Sequence, residues 1–301
     1  MFPRGGSTSR SGRPGRACRV DNDRTGWREL VRILRRLEVE LVGLEASGGY
    51  ERPVLRALVE ADLPARLVNP WRARQFAKAC GVLAKNDRLD AIAIARFVAT
   101  VPPRPTARSR HVDDLAELVT ARRQLVDELT RATNQAEHAG QPVLARLARR
   151  RINGLKAEIL LLDKAIAKAI AADEEMSRKG ALMRSVPGVG PIFTQSALAL
   201  MPELGSLTNR QAASLLGVAP FDFESGTFKG QRRIFGGRKA LRDVAFMAAM
   251  IACRYNPVFK AFNQRLRDAG KRPKVAIVAV MRKLIVTLNA MLRDNQQWRH
   301  A

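Results

Sequence analysis

Two short apolar segments on either side of a helical segment constrain the fold of the first hundred residues. The stretch EVELVGLEAS, residues 38–47, has the Val- and Leu-rich run of a buried strand, which ends at Glu45 before the turn Ser47-Gly48-Gly49. A helical pattern follows, and a second strand over Ala65–Val68 stops at Asn69-Pro70. A strand, a helix and a strand in this order predict a parallel α/β layer.

Three carboxylates belong to this first part of the chain. Open α/β sheets carry their sites at the carboxyl ends of the strands, where Glu45 stands. Asp87 and Asp90 lie three residues apart at the start of a predicted helix from Asn86 to about Ala99, so their Cβ atoms are about 5 to 6 Å apart on one face. Three carboxylates suit Mg²⁺, and paired ions can activate water and stabilise a leaving oxygen in phosphodiester cleavage.

Helix capping is the structural alternative for the two aspartates. Asn86 is a good N-cap, and each acid in the first turn of a helix gains about 0.3 to 1 kcal/mol from the helix dipole. Both interpretations fit the pair, because a residue in the first turn can also be a metal ligand.

The charge of the chain predicts a polyanionic partner. Its 301 residues include 53 Lys and Arg against 28 Asp and Glu, which leaves a formal charge of +25. One segment has no acid between Glu224 and Asp243, and its charge predicts that it faces phosphate. The cations of this basic segment are Lys229, Arg232, Arg233, Arg238, Lys239 and Arg242.

Two motifs with glycines each have a functional and a structural interpretation. Ser225 precedes Gly226, so its hydroxyl can approach a backbone phosphate while nearby arginines stabilise developing charge, but a turn serine in a basic loop has the same sequence. In VPGVGP, Gly188 and Gly190 can present backbone N–H groups to phosphate oxygens, as in a helix-hairpin-helix module. A plain turn between two helices is the alternative.

Composition divides the chain into four segments. Residues 1–20 hold five arginines and no acid, which predicts a disordered basic tail. An α/β domain at 21–105 ends in the Pro-rich linker VPPRPTARSR. Residues 106–178 contain two predicted long helices, from His111 to Ala139 and from Val143 to Met176, and residues 179–301 predict a mainly helical domain.

The second long helix has a coiled-coil spacing of apolar residues. The residues of this seam are Leu155, Ile159, Leu162, Ile166 and Ile170. The seam fits a helical hairpin that packs only on itself, and it fits equally a hairpin that also dimerises.

Membrane, zinc and disulfide-rich classes are disfavoured. No apolar run reaches the roughly 18 to 20 residues of a membrane helix, and the N-terminus lacks the apolar core of a signal peptide. Cys18, Cys80 and Cys253 are scattered, and with three histidines they form no zinc pattern and no disulfide framework. We therefore expect a cytoplasmic, nucleoid-associated protein without a membrane partner.

The order of five motifs resembles that of one known family. The motifs are LEASGGYE, LVNPWRARQFAKACGVLAKNDRLDA, VPGVGP, LLGVAPFDFESGTFKGQRRIFGGRKALRD and NPVFKAFNQRLRDAGK. Together they are similar to the DEDD transposases of the insertion sequence 110 family, recombinases guided by a structured bridge RNA. The resemblance extends over about residues 20 to 295 and rests on linked motifs, which makes it more specific than any single one.

The resemblance implies both a fold and a mechanism. It implies an N-terminal RuvC-like domain of the RNase H fold, a coiled-coil insertion and a C-terminal transposase domain. Carried over by motif, Glu45, Asp87 and Asp90 correspond to the last three acids of a metal-binding tetrad, and Ser225 corresponds to the nucleophile. DNA would be cut and rejoined through a phosphoserine, with Mg²⁺ at a site shared between subunits. The implied partners are double-stranded DNA, a structured non-coding RNA and further copies of the chain, in a dimer or tetramer.

One part of the family pattern is missing. Family members begin with a buried strand that carries the first aspartate, in a stretch resembling GIDVSK, whereas the arginine-rich tail stands at that place here. Asp21 and Asp23 are the only acids before Glu29, and no apolar run precedes either of them. We therefore expect an incomplete RNase H fold, through truncation, a frameshift or a wrong start codon. Two other functions stay open: an inactive copy that only binds nucleic acid, and a junction-resolving nuclease that uses metal alone.

Overall fold

The structure, a computed structural model, describes residues 18–84, 86–102, 109–222, 224–225, 228–230 and 232–299. Most of the predicted basic tail therefore lies outside the described residues. By its internal contacts the chain divides into two units, residues 1–106 (unit 1) and residues 107–301 (unit 2).

Unit 1 is a small parallel α/β layer, as the strand, helix and strand pattern predicts. Its elements in chain order are α1 (Arg24–Arg36), β1 (Val42–Glu45), α2 (Arg52–Glu60), β2 (Ala65–Val68), α3 (Pro70–Ala79) and α4 (Asp87–Thr100). The strands pair in parallel with Val42 opposite Ala65 and Glu45 opposite Val68. Because α2 connects parallel strands, both strands end at the same edge of the sheet.

Apolar clusters on the two sides of this sheet hold unit 1 together. On one side, Leu30 and Leu34 of α1 pack with Leu44 of β1 and with Leu58 of α2. The other cluster joins the end of β2 to α3 and α4, and its buried members are Val68, Ala73, Ile94, Phe97 and Val98. The helices are therefore fixed against the strands by burial of apolar side chains.

Gly43 lets α4 approach β1 closely. A Cβ atom at this position would lie 2.8 Å from Cγ2 of Ile94 and 3.0 Å from Cγ1 of Val98. Both contacts are shorter than ordinary van der Waals separation, so any side chain larger than hydrogen would push the helix or its side chains away. The approach matters because Asp90 lies one helical turn before Ile94 on the same helix.

Unit 2 is mainly helical. Its helices are α5 (Arg110–Ala136), α6 (Pro142–Ala171), α7 (Glu174–Arg184), α8 (Pro191–Leu200), α9 (Asn209–Leu216), α10 (Lys239–Tyr255), α11 (Pro257–Asp268) and α12 (Pro273–Asp294). Short strand pairs lie between α9 and α10. A single apolar core includes Leu115 of α5, Ile166 of α6 and Phe193 of α8 together with residues of the last three helices.

Both helices of the hairpin of α5 and α6 end before their predicted last residues, and α5 ends at Ala136 and not at Ala139. The second helix was expected to run to Met176, but α6 ends at Ala171 and a new helix begins at Glu174. Asp173 causes the break, since its side chain accepts a hydrogen bond of 2.9 Å from the backbone N–H of Met176 and so caps α7. The same carboxylate lies 3.1 Å from Nδ1 of His111 on α5.

The predicted seam of α6 faces α5. Leu155 and Ile166 are buried, and the other three seam residues are half-buried. Arg122 of α5 and Asp163 of α6 form an ion pair of 2.5 Å beside the seam. The hairpin therefore buries its own seam, and dimerisation through it stays a prediction.

The expectation that no apolar run is long enough to span a membrane was wrong for α12. This helix has 22 residues and is long and apolar enough to cross a membrane. Half of its most apolar stretch is nevertheless buried inside the protein. Val280, Leu284 and Leu288 are among its residues in the core of unit 2. A buried central helix has the same composition as a membrane span, and the burial identifies α12 as a core helix.

We expect Gly43→Ala to lower the free energy of unfolding by about 1 to 3 kcal/mol, the usual cost of overpacking a core. Chemical denaturation followed by circular dichroism measures the change. Gly140→Ala is the matched control, because a Cβ atom there meets nothing within 4 Å. Equal stability of the two variants would contradict the close approach of α4 to β1.

Candidate functional site

Glu45 and Asp90 meet at the carboxyl edge of the sheet in unit 1. Glu45 is the last residue of β1, and Asp90 lies in the first turn of α4. Both line a pocket of about 130 Å³, whose other lining residues are Pro70, Ala73, Arg74, Ala93 and Ile94. Parallel pairing brings the strand end to this edge, and the packing of α4 on Gly43 brings the aspartate.

Asp87 is the first residue of α4 and is exposed. It is not among the residues that line the pocket. Asn86 caps the helix as predicted, since its side chain accepts a hydrogen bond of 2.9 Å from the backbone N–H of Leu89. Within the described residues, no three Asp, Glu, His or Cys side chains form a group that could hold a metal ion. The ligand set of three carboxylates therefore stays a prediction.

The two pocket carboxylates by themselves fit a magnesium ion. Mg²⁺ keeps several waters and is commonly bound through one or two carboxylates together with substrate phosphates. Glu45 and Asp90 supply hard oxygen donors from two different elements that line one pocket. Asp87 lies one turn from Asp90 on the same helix and would join them only if its side chain turned toward the pocket.

Arg74 is a pocket residue that no sequence pattern singled out. Its guanidinium donates hydrogen bonds to the carbonyl oxygens of Leu83 at 2.6 Å and Ala84 at 3.2 Å. These bonds fix the position of a cation beside Glu45 and Asp90. Such a cation can hold an anionic oxygen next to the carboxylates. The signal in the sequence was weak, because Arg74 is one of two arginines in α3 and has no distinguishing neighbour.

Glu51 fixes the turn that follows Glu45. Its buried carboxylate accepts hydrogen bonds of 2.9 Å from the backbone N–H groups of Ser47 and Gly49. Burial alone raises the pKa of this carboxyl, but the backbone hydrogen bonds and the charge of Arg52 outweigh burial and lower the pKa below its ordinary value of 4.5. Sequence reasoning missed this role, because a glutamate after a Gly-Gly turn also fits a simple helix start.

Ser225 is exposed near the end of a β-ribbon in unit 2. The base of the ribbon pairs β3 (Pro220–Phe221) with β6 (Arg233–Ile234), and the outer part pairs β4 (Glu224–Ser225) with β5 (Phe228–Lys229). Ser225 lies opposite Phe228 in this second pair. The hydroxyl therefore lies on an exposed antiparallel ribbon, which is narrow enough to approach a nucleic-acid backbone.

The cations of the basic segment are placed differently from one another. Arg232 forms an ion pair of 2.5 Å with Asp222 across the ribbon, and Lys239 pairs with Asp243 at 2.6 Å within α10. Arg233 is exposed on β6.

Two further arginines of the segment have structural partners. Arg238 is half-buried, pairs with Glu203 and donates its backbone N–H to the carbonyl oxygen of Leu215. Arg242 donates to the carbonyl oxygen of Gly236. Arg238 therefore holds the segment against α9, and Arg242 bonds within the segment. A phosphate role for either arginine stays a prediction that competes with these contacts. The side chain of Lys229 lies outside the described part of the chain.

The VPGVGP motif forms the turn between α7 and α8. Gly188 has a φ of +105°. A Cβ atom on it would lie 2.6 Å from the Cα atom of Ala252, so its glycine is required by packing against α10. Gly190 is exposed at the N-terminus of α8, where a Cβ atom would meet nothing within 4 Å. Of the two predicted phosphate contacts, Gly190 has the accessible backbone.

Two family models match separate parts of this chain. A model for DEDD transposases of the IS110 type, described as a transposase, matches residues 8–139. A model described as the transposase IS116/IS110/IS902 family matches residues 180–264, which include the VPGVGP turn and the β-ribbon. The matched ranges contain both the carboxylate pocket and Ser225. The chain belongs to the IS110 family of transposases.

Similar proteins are found in species of Moraxella and Mycobacterium. Pilin gene-inverting proteins of Moraxella lacunata and Moraxella bovis are each 29% identical over 293 residues, which cover 93% of this chain and 89% of theirs. An uncharacterized 42 kDa protein of the insertion element IS900 from Mycobacterium paratuberculosis is 30% identical over 160 residues, covering 51% of this chain and 38% of its own length.

We expect Glu51→Gln to cost about 1 to 3 kcal/mol of stability at neutral pH, because an uncharged amide replaces a carboxylate that accepts several hydrogen bonds. A carboxyl whose pKa is lower in the folded state stabilises the fold above its unfolded pKa, and this stabilisation is lost as pH falls through the folded pKa. The difference from the wild type should therefore shrink below pH 4.5, the ordinary value of this carboxyl. Thermal melts across this range measure it. Glu60→Gln, at an exposed position of α2, is the control, and a difference independent of pH would contradict the expectation.

Proposed function

We propose that this protein cuts and rejoins DNA as a transposase, in which the pocket of unit 1 binds a metal ion and Ser225 of unit 2 is the nucleophile. The observation that carries the proposal is the meeting of Glu45, Asp90 and Arg74 in one pocket of a transposase-family chain. Two anionic ligands with a fixed cation beside them are suited to binding a phosphate through a metal ion and a hydrogen-bond donor. The formal charge of +25 supports a nucleic-acid substrate.

Glu45 and Asp90 would hold Mg²⁺, and Asp87 would complete the ligand set. When bound, the ion supplies Lewis-acid stabilisation of the developing charge on phosphate oxygens. The chain itself orients the phosphate through the guanidinium of Arg74, which the carbonyl oxygens of Leu83 and Ala84 hold in place. Binding of Mn²⁺ as a probe for Mg²⁺, measured by calorimetry with Glu45→Gln and Asp90→Asn, tests this site independently of DNA cleavage.

Ser225 would be the nucleophile. Its Oγ loses its proton and attacks phosphorus, a phosphoserine forms, and the DNA oxygen leaves as a free hydroxyl. A hydroxyl of a second DNA end then attacks the phosphoserine, which restores the serine and joins the strands. Supporting observations are the exposure of Ser225 on the ribbon and the exposed Arg233 on β6, which pairs with β3 at the base of the same ribbon.

The family resemblance extends the proposal to the assembly. Since the pocket and Ser225 belong to different units of the chain, they can be contributed by different copies in a dimer or tetramer. The resemblance also makes a structured RNA the guide that selects the DNA. Gly190 at the N-terminus of α8 and the exposed Arg233 are contacts suited to a phosphate backbone.

The names of the relatives agree with recombination. Inverting a gene, as the names of the two Moraxella proteins state, requires that DNA be cut and rejoined. If this protein carries out the same strand exchange, its mechanism must include a rejoining step. A covalent serine intermediate allows the strands to be rejoined, whereas simple hydrolysis does not.

We expect Ser225→Ala to abolish strand exchange and to leave DNA affinity nearly intact, because only the attacking oxygen is removed. A supercoiled plasmid that carries the gene with its flanking DNA serves as substrate, and junction products are measured by sequencing. Ser214→Ala, at an exposed position of α9, is the matched control. Recombination by Ser225→Ala at the wild-type level would overturn the assignment.

Arg74→Ala should reduce strand cleavage roughly 100- to 1000-fold, the usual effect of losing one donor to developing negative charge. Lys78→Ala removes the same charge one helical turn later, from an exposed residue outside the pocket, and should have little effect. Cleavage is measured at saturating protein, so weaker binding does not contribute. An equal loss in both variants would mean that Arg74 acts only through general charge.

Two alternative functions give different outcomes in these assays. A chain that only binds nucleic acid would show salt-sensitive binding, with no cleavage at any Mg²⁺ concentration. A nuclease that uses metal alone would cleave without forming an adduct. Mass spectrometry of a covalent complex between Ser225 and DNA, trapped by rapid denaturation, separates both from the proposed mechanism.

A further inference from the structure

Two exposed aromatic side chains lie in the segments that follow β1 and β2. Aromatic residues are only 5% of the chain, and it has 2 Tyr and 3 Trp. Tyr50 is nevertheless 75% exposed and Trp71 is 60% exposed. Large exposed rings are costly in water, and they are typical of surfaces that bind a ligand.

Both rings follow the ends of paired strands. Tyr50 lies in the turn after β1, five residues beyond Glu45, and Trp71 lies three residues beyond Val68, the partner of Glu45 in β2. Because the strands are parallel, the two segments leave the sheet at the same edge. Trp71 also directly follows Pro70, which lines the pocket.

The backbone under each ring is held in place. The carbonyl oxygen of Tyr50 accepts a hydrogen bond of 3.1 Å from the side chain of Asn22, and the turn before it is tied to the carboxylate of Glu51. Trp71 lies in the first turn of α3, which Asn69 caps by accepting a bond of 3.2 Å from the backbone N–H of Arg72. Fixed backbones reduce the entropy that each ring loses when a ligand binds.

Arginines follow each ring closely in the sequence, which favours a nucleic acid over an apolar protein surface. Arg52 follows Tyr50 by two residues, and Arg72 and Arg74 follow Trp71. Proteins bind single-stranded nucleic acids with aromatic side chains placed among cations. Every base has a π-face that can stack on an aromatic ring, and every phosphate has a charge that a cation can pair with. A protein-binding patch would instead be contiguous and apolar.

We propose that Tyr50 and Trp71 stack on unpaired nucleobases next to the phosphate held in the carboxylate pocket. The proposal rests on the proposed function, in that the strand bound here is the one being cut. Stacking would hold the bases on one side of the cut and thereby place the phosphate between Arg74 and the carboxylates.

The test measures the affinity of the full chain for labelled oligothymidylate about 12 nucleotides long, within the roughly 4 to 16 nucleotides that single-strand sites cover. An abasic strand of the same length carries the phosphates without bases, and oligouridylate gives the RNA arm. We expect Trp71→Leu and Tyr50→Ala to weaken binding of oligothymidylate roughly tenfold, and to leave the abasic strand unaffected. Trp71→Phe keeps a ring and should keep most of the affinity.

Tyr255→Ala is the matched control, because Tyr255 is 66% exposed in unit 2 and lies far along the chain from the pocket. Loss of oligouridylate binding with unchanged oligothymidylate binding also overturns the proposal, because the strand being cut is DNA. An equal loss on the abasic strand, or no loss in either variant, overturns the proposal. Since the assay needs no strand exchange, a failure here is distinct from an inactive Ser225.

Discussion

The parallel pairing of β1 with β2 is the constraint on which the candidate site depends. The pairing puts the end of each strand at one edge, so that Glu45 and the start of α3 are neighbours. The absence of a side chain at Gly43 then lets α4 lie against β1 and bring Asp90 into the same pocket. Loss of either feature would separate the two carboxylates while leaving each one intact.

A second layer of contacts supports this edge. Glu51 holds the turn after β1, and the two carbonyl oxygens that bind Arg74 hold the guanidinium in the pocket. A phosphate site needs side chains that are fixed before the substrate arrives, because reorganising dipoles during the reaction raises the barrier. The polar contacts around the pocket meet this requirement with backbone groups, which have little freedom once the sheet and helices are packed.

In unit 2, some of the arginines and glycines that were predicted to contact phosphate have structural roles. Arg238 and Arg242 were selected as phosphate contacts because they lie in a segment without acids, yet both bond to groups of unit 2. Glu203, which pairs with Arg238, lies 35 residues away in the chain. A window of local sequence cannot reveal a distant partner. Gly188 likewise has two explanations. Glycine at this position fits a phosphate-binding turn, and it is also required by close packing on Ala252.

The sequence by itself determined the family, the parallel strand pair, the capping of α4 by Asn86 and the seam of α6, because these depend on local patterns of burial and hydrogen bonding. Only the tertiary structure decided that Glu45 and Asp90 share a pocket without Asp87, that Arg74 joins them, and that α12 is a core helix. Each of these depends on contacts between residues distant in the chain. The periodicity of a sequence carries no record of those contacts, since the same pattern serves a buried helix and a membrane span, or a helix cap and a metal ligand.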